Sequence, residues 1–408
     1  MFNKIKDADV KNKVVFVRAD MNVSLKDGKI IDDTRIKATI PTIEFLIKNG
    51  AKVVLASHLG KGKQPEESLK IVLERLRILL PNIKFNFSDD CIGDKAKSII
   101  ASTNFGEVVL LENLRFHKDE ENYGEIGKGK IAEDEEKKAK QFASDLSQLA
   151  EIYVNDAFST CHRKHASMVG IPDFLPAFAG FTLEEELSNL TTLVSNPEKP
   201  FMVIVGGSKV STKLELLRAL VKKANYVVVG GGMANTFLYA LGKPIGKSLH
   251  EAELKDDTLA LLEDAKKNNC EVILPTDVVV APTVSEGQSV KNVKIDDIET
   301  DDVIVDLGTE TIKSIQNRLN NSKVVIWNGP IGIYEISPFN AGTDGLAKII
   351  ADLTKSGTLK SVAGGGDILA ALNKANITQD FTYVSTAGGA FLKWLEKGKL
   401  PAIEKILK

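Results

Sequence analysis

Ten short apolar runs, rich in Val and Ile and barely interrupted by polar residues, constrain this chain most. In the first half they are KVVFV (13–17), KVVLA (52–56), EVVLL (107–111) and EIYV (151–154). In the second they are FMVIV (201–205), NYVVV (225–229), EVIL (271–274), KVVIW (323–327), KSVA (360–363) and FTYV (381–384). A strand with one wet face alternates apolar and polar residues, whereas a continuous β-branched run predicts a strand covered on both faces. The intervening stretches read as helices: Leu69, Val72, Leu73, Leu76 and Leu79 recur with the helical period, as do Phe142, Ala143, Leu146, Leu149 and Ala150. Strand–helix alternation predicts βαβ units, parallel sheets and an α/β fold.

Ten strands fit one large sheet or two smaller ones. Segment 171–200 has Pro near both ends and one helical stretch, roughly 180–194, between them. That favours two domains of similar length joined by a helix. The charged tract 117–140 reads as a solvated loop and helix start. A formal net charge of −2 on 408 residues offers no global field for nucleic acid or an anionic membrane. No run approaches the length of a membrane span, and MFNKIKDADVKNK has no apolar signal core, so a cytoplasmic location is expected. Cys91, Cys161 and Cys270 lie far apart and form no CxxC pair, which suggests neither a disulfide framework nor a thiolate metal site.

In parallel α/β sheets, ligands bind beyond the carboxyl ends of the strands. In the first half these ends carry RADMN (18–22), SHLGK (57–61), ENLRFHK (112–118) and NDAFSTCHRK (155–164). Arg18, His58, Lys61, Arg115, His162 and Arg163, with Arg35 from DDTRIK, would make a concentrated cationic face in a chain without net positive charge. Such a face suits a small polyanion, and Arg suits phosphate and carboxylate in particular. In the second half the ends carry GGSKVSTK (206–213), GGGMANTF (230–237), NGPIGIYE (328–335), GGGDIL (364–369) and STAGGAF (385–391). Glycine lets backbone N–H groups and helix N-termini approach phosphate, so these ends suggest a nucleotide. One GG pair alone more often only tightens a turn. Lys209 and Lys213 are expected on one face of a starting helix, and Asp367 is expected to cap a helix whose first residue is Ile368. GKPIGKS (242–248) has one residue too few between its glycines for a phosphate-binding P-loop, and no dinucleotide fingerprint is complete.

Together these motifs, in this order and over essentially the whole chain, resemble phosphoglycerate kinase. The resemblance implies two Rossmann-like parallel-sheet domains with a cleft between them. Residues 1–175, rejoined by about 393–408, would bind phosphoglycerate; 176–195 would be the connecting helix; 196–392 would bind nucleotide. It implies that Asp20, Asn22, Arg35, His58, Lys61, Arg115, His162 and Arg163 hold 3-phosphoglycerate or 1,3-bisphosphoglycerate. Lys209, Lys213, Gly231, Asn328, Pro330, Glu335, Gly364, Gly365, Gly366, Asp367, Ile368, Gly388 and Gly389 would hold ADP or ATP. Asp367 would serve Mg2+ together with the nucleotide phosphates, and Arg35 and Lys209 would stabilise charge on the phosphoryl group in transfer. The family implies glycolytic transfer without a covalent intermediate, with domain closure; a monomer is expected.

The residue census agrees with that chemistry. A carboxylate nucleophile is already ionised at neutral pH, so no general base is required and positioning must supply the catalysis. The chain departs from the family at Lys61, usually Arg, at Ser208 and Thr212 around Lys209, at Ile368, usually Ser or Thr, and at Ala387 and Phe391. These departures keep a second reading open: a phospho-ligand binder that has lost efficient transfer. A nicotinamide dehydrogenase is disfavoured by the incomplete fingerprint.

Overall fold

The computed structural model describes residues 2–407. They fall into two compact units, Met1–Ser188 with Lys399–Lys408, and Asn189–Gly398.

The first unit is built on β1 (Val14–Ala19), a small antiparallel hairpin of β2 (Leu25–Lys26) and β3 (Lys29–Ile30), and then β4 (Lys52–Ala56), β5 (Phe85–Ser88), β6 (Val108–Leu111), β7 (Ile152–Asp156) and β8 (Ala177–Ala179). Apart from the hairpin they form one parallel sheet in the order β5-β6-β4-β1-β7-β8. Every residue of β4, β6 and β7 is buried, as their apolar runs require, and the polar Lys52, Asn155 and Asp156 are buried with them. Two strands of this sheet lie outside the ten runs. The edge strand β5, Phe-Asn-Phe-Ser, alternates and so carries no continuous apolar signal. The other edge strand, β8, has only three residues and lies within segment 171–200.

The second unit contains β9 (Phe201–Val205), β10 (Tyr226–Val229), β11 (Glu271–Ile273), β12 (Asp277–Ala281), β13 (Lys291–Lys294), β14 (Val303–Leu307), β15 (Val324–Asn328), β16 (Lys360–Gly364) and β17 (Tyr383–Ser385). Its parallel sheet runs β11-β10-β9-β15-β16-β17. In units of chain order this is 3-2-1-4-5-6, the doubly wound order whose switch point lies between the first and fourth strands, here β9 and β15. A three-stranded antiparallel sheet, β13-β12-β14, is inserted between β11 and β15.

The helix expected at roughly 180–194 is Phe181–Leu190, continued by a wider turn over Thr191–Ser195, and the division between the units falls inside it. The residues that rejoin the first unit begin at Lys399; residues 393–397 complete the helix Gly388–Lys397 of the second. In the first unit, the Asn3 N–H donates to the Ile406 carbonyl at 2.9 Å, and the Ala402 N–H to that of Cys161 at 3.2 Å. The tract 117–140 is only partly a solvated loop. Glu120, on the short helix Asp119–Asn122, is fully buried.

Candidate active site

The four cationic strand ends of the first unit follow β6, β4, β1 and β7, four consecutive neighbours in its sheet. Parallel pairing puts all four loops on one edge, and hydrogen bonds link them. Arg35, second residue of the helix Thr34–Lys48, reaches back to Asp20 after β1 at 2.9 Å and donates to the Asn22 carbonyl at 3.2 Å. Asn22 accepts from the Gly60 N–H, after β4, at 2.8 Å. Arg115, after β6, donates to the Gly60 carbonyl at 2.6 Å and pairs with Glu121 at 3.2 Å. Ser159, after β7, donates to Asp20. Glu67 clasps the loop around Lys61, accepting from the N–H groups of Lys61, Lys63 and Gln64. Lys61 and Arg163 are exposed, and His162 is half-buried on the turn leading to Arg163.

The charge of this face comes from arginine and lysine. The expectation that His58 adds to it is corrected. His58 is 3 % exposed, and burial, followed by the neighbouring Arg18 and Arg115, holds its imidazole well below the usual histidine range. Arg18 Nη2 lies 3.2 Å from His58 Nδ1, which makes Nδ1 the acceptor and leaves the proton on Nε2. His58 therefore offers a neutral N–H. Burial and Arg115 likewise push His165 down to about 3. Arg18 itself is buried, and each of its three guanidinium nitrogens has a partner: Ser167 Oγ at 2.9 Å, the Ala19 carbonyl and His58. Ser167 passes the interaction on to the buried Glu120 carboxylate at 2.6 Å. Arg18 thus orients His58. Glu120, Ser167 and Glu67 are supporting residues the motif reading misses; a carboxylate in a charged tract carries no sign of being buried.

In the second unit the five glycine-bearing ends follow β10, β9, β15, β16 and β17, again consecutive neighbours. Lys213 sits here at the centre. Its ammonium donates to the Gly206 carbonyl and to Asn328 Oδ1, both at 2.6 Å, and Asn328 Nδ2 donates to the Gly364 carbonyl. Three strand ends, those of β9, β15 and β16, are thereby tied together. Burial lowers the Lys213 pKa to about 8, against the pull of nearby Asp367. Lys209 is exposed on an irregular loop, and the helix begins only at Leu214, so the expected shared helical face of Lys209 and Lys213 does not form.

Beside this cluster a cavity of about 390 Å³ is lined by Gly207, Gly231, Pro330, Glu335 and Asp367, and by apolar residues including Leu249, Val303 and Ile304. The wall from β14 belongs to the antiparallel sheet, which strand-end reasoning passes over although TDVVVAP and DDVIVDL are as apolar as the other runs. Many of the glycines serve backbone packing between turns. A Cβ on Gly206 would lie 1.9 Å from the Pro330 carbonyl oxygen, and one on Gly231, at φ +65°, 2.7 Å from that of Gly207. Gly388 lies against Gly365, while Gly366 and Gly389 are exposed at helix starts.

The reading of the GGGD turn is corrected. Gly365 is the N-cap, the helix is Gly366–Lys374, and Asp367 lies in its exposed first turn. Ile368 is the third helical residue and its side chain is fully buried in the core with Trp327, Ile331 and Leu372. Only its backbone N–H remains for a ligand. Phe391, another departure, is also core, its ring filling the space over Gly364.

Residues 5–399 match the family model for phosphoglycerate kinase. The chain belongs to the phosphoglycerate kinase family. It is 46 % identical over 407 residues to the phosphoglycerate kinase of Xanthobacter autotrophicus, covering 99 % of each chain. To that of Cereibacter sphaeroides it is 44 % identical, covering 97 % of each. Among solved structures it resembles the phosphoglycerate kinase of Coxiella burnetii, with a TM-score of 0.88, 38 % identity, and coverage of 100 % of this chain and 99 % of that one. The Pyrococcus horikoshii enzyme gives a TM-score of 0.77 at 31 % identity, with 100 % and 98 % covered. The chain is thus a kinase of α/β architecture with two parallel-sheet units, as the sequence implies.

Proposed function

We propose that this kinase carries out reversible phosphoryl transfer from 1,3-bisphosphoglycerate to ADP, yielding 3-phosphoglycerate and ATP, in line and without a covalent intermediate. One observation supports the reading above the rest: adjacent strand ends in one unit present Lys61, Arg115 and Arg163, joined by Arg35 reaching over from the helix Thr34–Lys48, and five adjacent ends in the other present glycine turns around Lys213. The first set suits phosphoglycerate and the second a nucleotide. Arg35 and Lys209 act on the charge of the moving phosphoryl group. Bringing the two ligands together calls for closure of the units, and the protein works as a cytoplasmic monomer.

Magnesium fits the residues present in one way. Asp367 is a single exposed carboxylate on a first helical turn, near the Lys213 ammonium. One exposed carboxylate at that helix start, with Glu335 lining the same cavity, suits an ion that arrives with the nucleotide phosphates and takes most of its oxygen ligands from them and from water. When bound, that ion would neutralise phosphate charge, and Asp367 would help to hold it.

A coupled assay with 3-phosphoglycerate and MgATP tests the reading. Turnover that disappears when Mg2+ is chelated is expected. No signal above a protein-free control, with calorimetry still showing both ligands bound, would leave only a phospho-ligand binder. Closure is checked by small-angle scattering, where both ligands together should shrink the radius of gyration.

A further inference from the structure

We propose that Asp90, Cys91 and His117 form a site for a thiophilic divalent cation of the Zn2+ type, beside the anion-binding half-site of the first unit. A carboxylate oxygen, a sulfur and an imidazole nitrogen from these residues lie within 4.8 Å of one another, and no other such trio occurs among the described residues. Tetrahedral bonds of about 2.0–2.3 Å would hold ligand atoms about 3.3–3.8 Å apart, so small side-chain rotations suffice. The donors stand on neighbouring elements: Asp90 and Cys91 follow β5, and His117 follows the turn Leu114–Phe116 after β6, its sheet neighbour.

The free protein already holds the donors in place. His117 stacks on Phe142 with ring centres 4.9 Å apart and points Nε2 at Asp90 Oδ1, 2.7 Å away. The same oxygen accepts from the Cys91 N–H at 2.6 Å. The buried Cys91 thiol donates to the Glu112 carbonyl at 2.9 Å. On binding, the thiol releases its proton to solvent and a sulfur–metal bond replaces the S–H. The His117–Asp90 hydrogen bond is exchanged for two bonds to the ion. Side-chain exposures of 43 % for Asp90 and 27 % for His117 leave an entry path and room for water as fourth ligand. A set containing sulfur and imidazole selects Zn2+, Co2+ or Cd2+ over the Mg2+ that accompanies the nucleotide.

The site has a route to the substrate face. The backbone N–H of His117 donates to the Leu114 carbonyl at 3.2 Å, and Arg115 lies between them on the same turn. Drawing His117 onto a metal shifts the turn that aims Arg115. This part rests on the proposed function: zinc occupancy raises the KM for 3-phosphoglycerate and leaves that for MgATP unchanged.

The test is titration of the full chain, without nucleotide, with Zn2+ by calorimetry and with Co2+ by absorption. One ion per chain and a thiolate-to-cobalt charge-transfer band are expected. His117→Gln, with a melting curve that matches the parent's, should weaken binding at least tenfold. Cys161→Ala removes a cysteine outside the trio and should keep the band. Equal affinity in His117→Gln and the parent, or no thiolate band, overturns the site. The binding titration needs no turnover, so it decides the site even if the kinase assay fails.

Discussion

The two half-sites sit on the same kind of sheet edge but are made of different material. In the first unit the recognition surface is side-chain charge, and its support is more side-chain chemistry: Asp20 under Arg35, and Glu120 and Ser167 under Arg18. In the second it is largely backbone, held open by glycines whose carbonyl neighbours leave no room for a Cβ, with a buried lysine as the central knot. A charged surface tolerates loss of one member with the fold intact and suffers in rate. A backbone surface fails by losing its shape. Substitutions in the two units should therefore separate into kinetic and structural failures.

The largest effect is expected at Arg35. Arg35→Ala removes a donor from the transferring phosphoryl group, and kcat should fall about 10²–10³-fold. The melting temperature should stay close to the parent's, because Arg35 is partly exposed and its ion pair contributes little to stability. Normal kcat with only a raised KM would make Arg35 a binding residue.

Gly206→Ala is the opposite case. With its Cβ 1.9 Å from a carbonyl oxygen, two backbone segments must part, at a cost of about 3 kcal/mol or more. Denaturant unfolding should show the second unit destabilised and MgADP affinity lost. Phosphoglycerate binding should survive. A variant of parental stability would show that the turns can separate freely.

Ile368→Thr sharpens the contrast at a position the family usually fills with a hydroxyl. Here the side chain is core, so Thr should cost about 1–3 kcal/mol through lost burial and an enclosed hydroxyl. MgADP binding should not tighten. Tighter binding by calorimetry would restore the reading of this position as a phosphate contact.

The smallest effect concerns Asp306, a cavity-lining carboxyl that accepts from the Gly342 and Leu307 N–H groups. Burial, with Asp344 adding, raises its pKa from 3.8 to about 7. The folded protein therefore binds this proton more tightly than the unfolded chain does. The resulting stability is full below about pH 4 and is lost as pH rises towards 7. Melting curves between about pH 5 and pH 8 should show the parent losing ground relative to Asp306→Asn as pH increases. Parallel curves would mean that the carboxyl stays ionised throughout.

Legibility in the sequence follows the same division. Unbroken apolar runs mark the central strands of both sheets, because burial on both faces leaves no other composition. Edge strands have no such requirement: β5 and β8 go unmarked, while β11 and β17, the edges of the second sheet, happen to carry runs of their own. Arginines after strands are readable as an anion site at Arg115 and Arg163, whereas Arg18 has another reason to be there, as a buried support for His58. Glycines after strands are ambiguous, since packing one turn against another demands them as strongly as a phosphate does. Ile368 shows the limit: a run of GGGD fixes neither where the helix starts nor which way its third side chain points. Whether a histidine such as His58 is charged depends on burial and on neighbours contributed by distant strands, information that no local motif holds.

The return of residues 399–407 to the first unit has a consequence for synthesis. Domains ordinarily fold in the order in which they leave the ribosome. Here the first unit lacks its contacts at Asn3 and Cys161 until residues 402 and 406 have been made, while 189–398 are already complete. The unit begun first is finished second. A nascent chain halted near residue 398 should hold a protease-resistant second unit behind a first unit still open to cleavage.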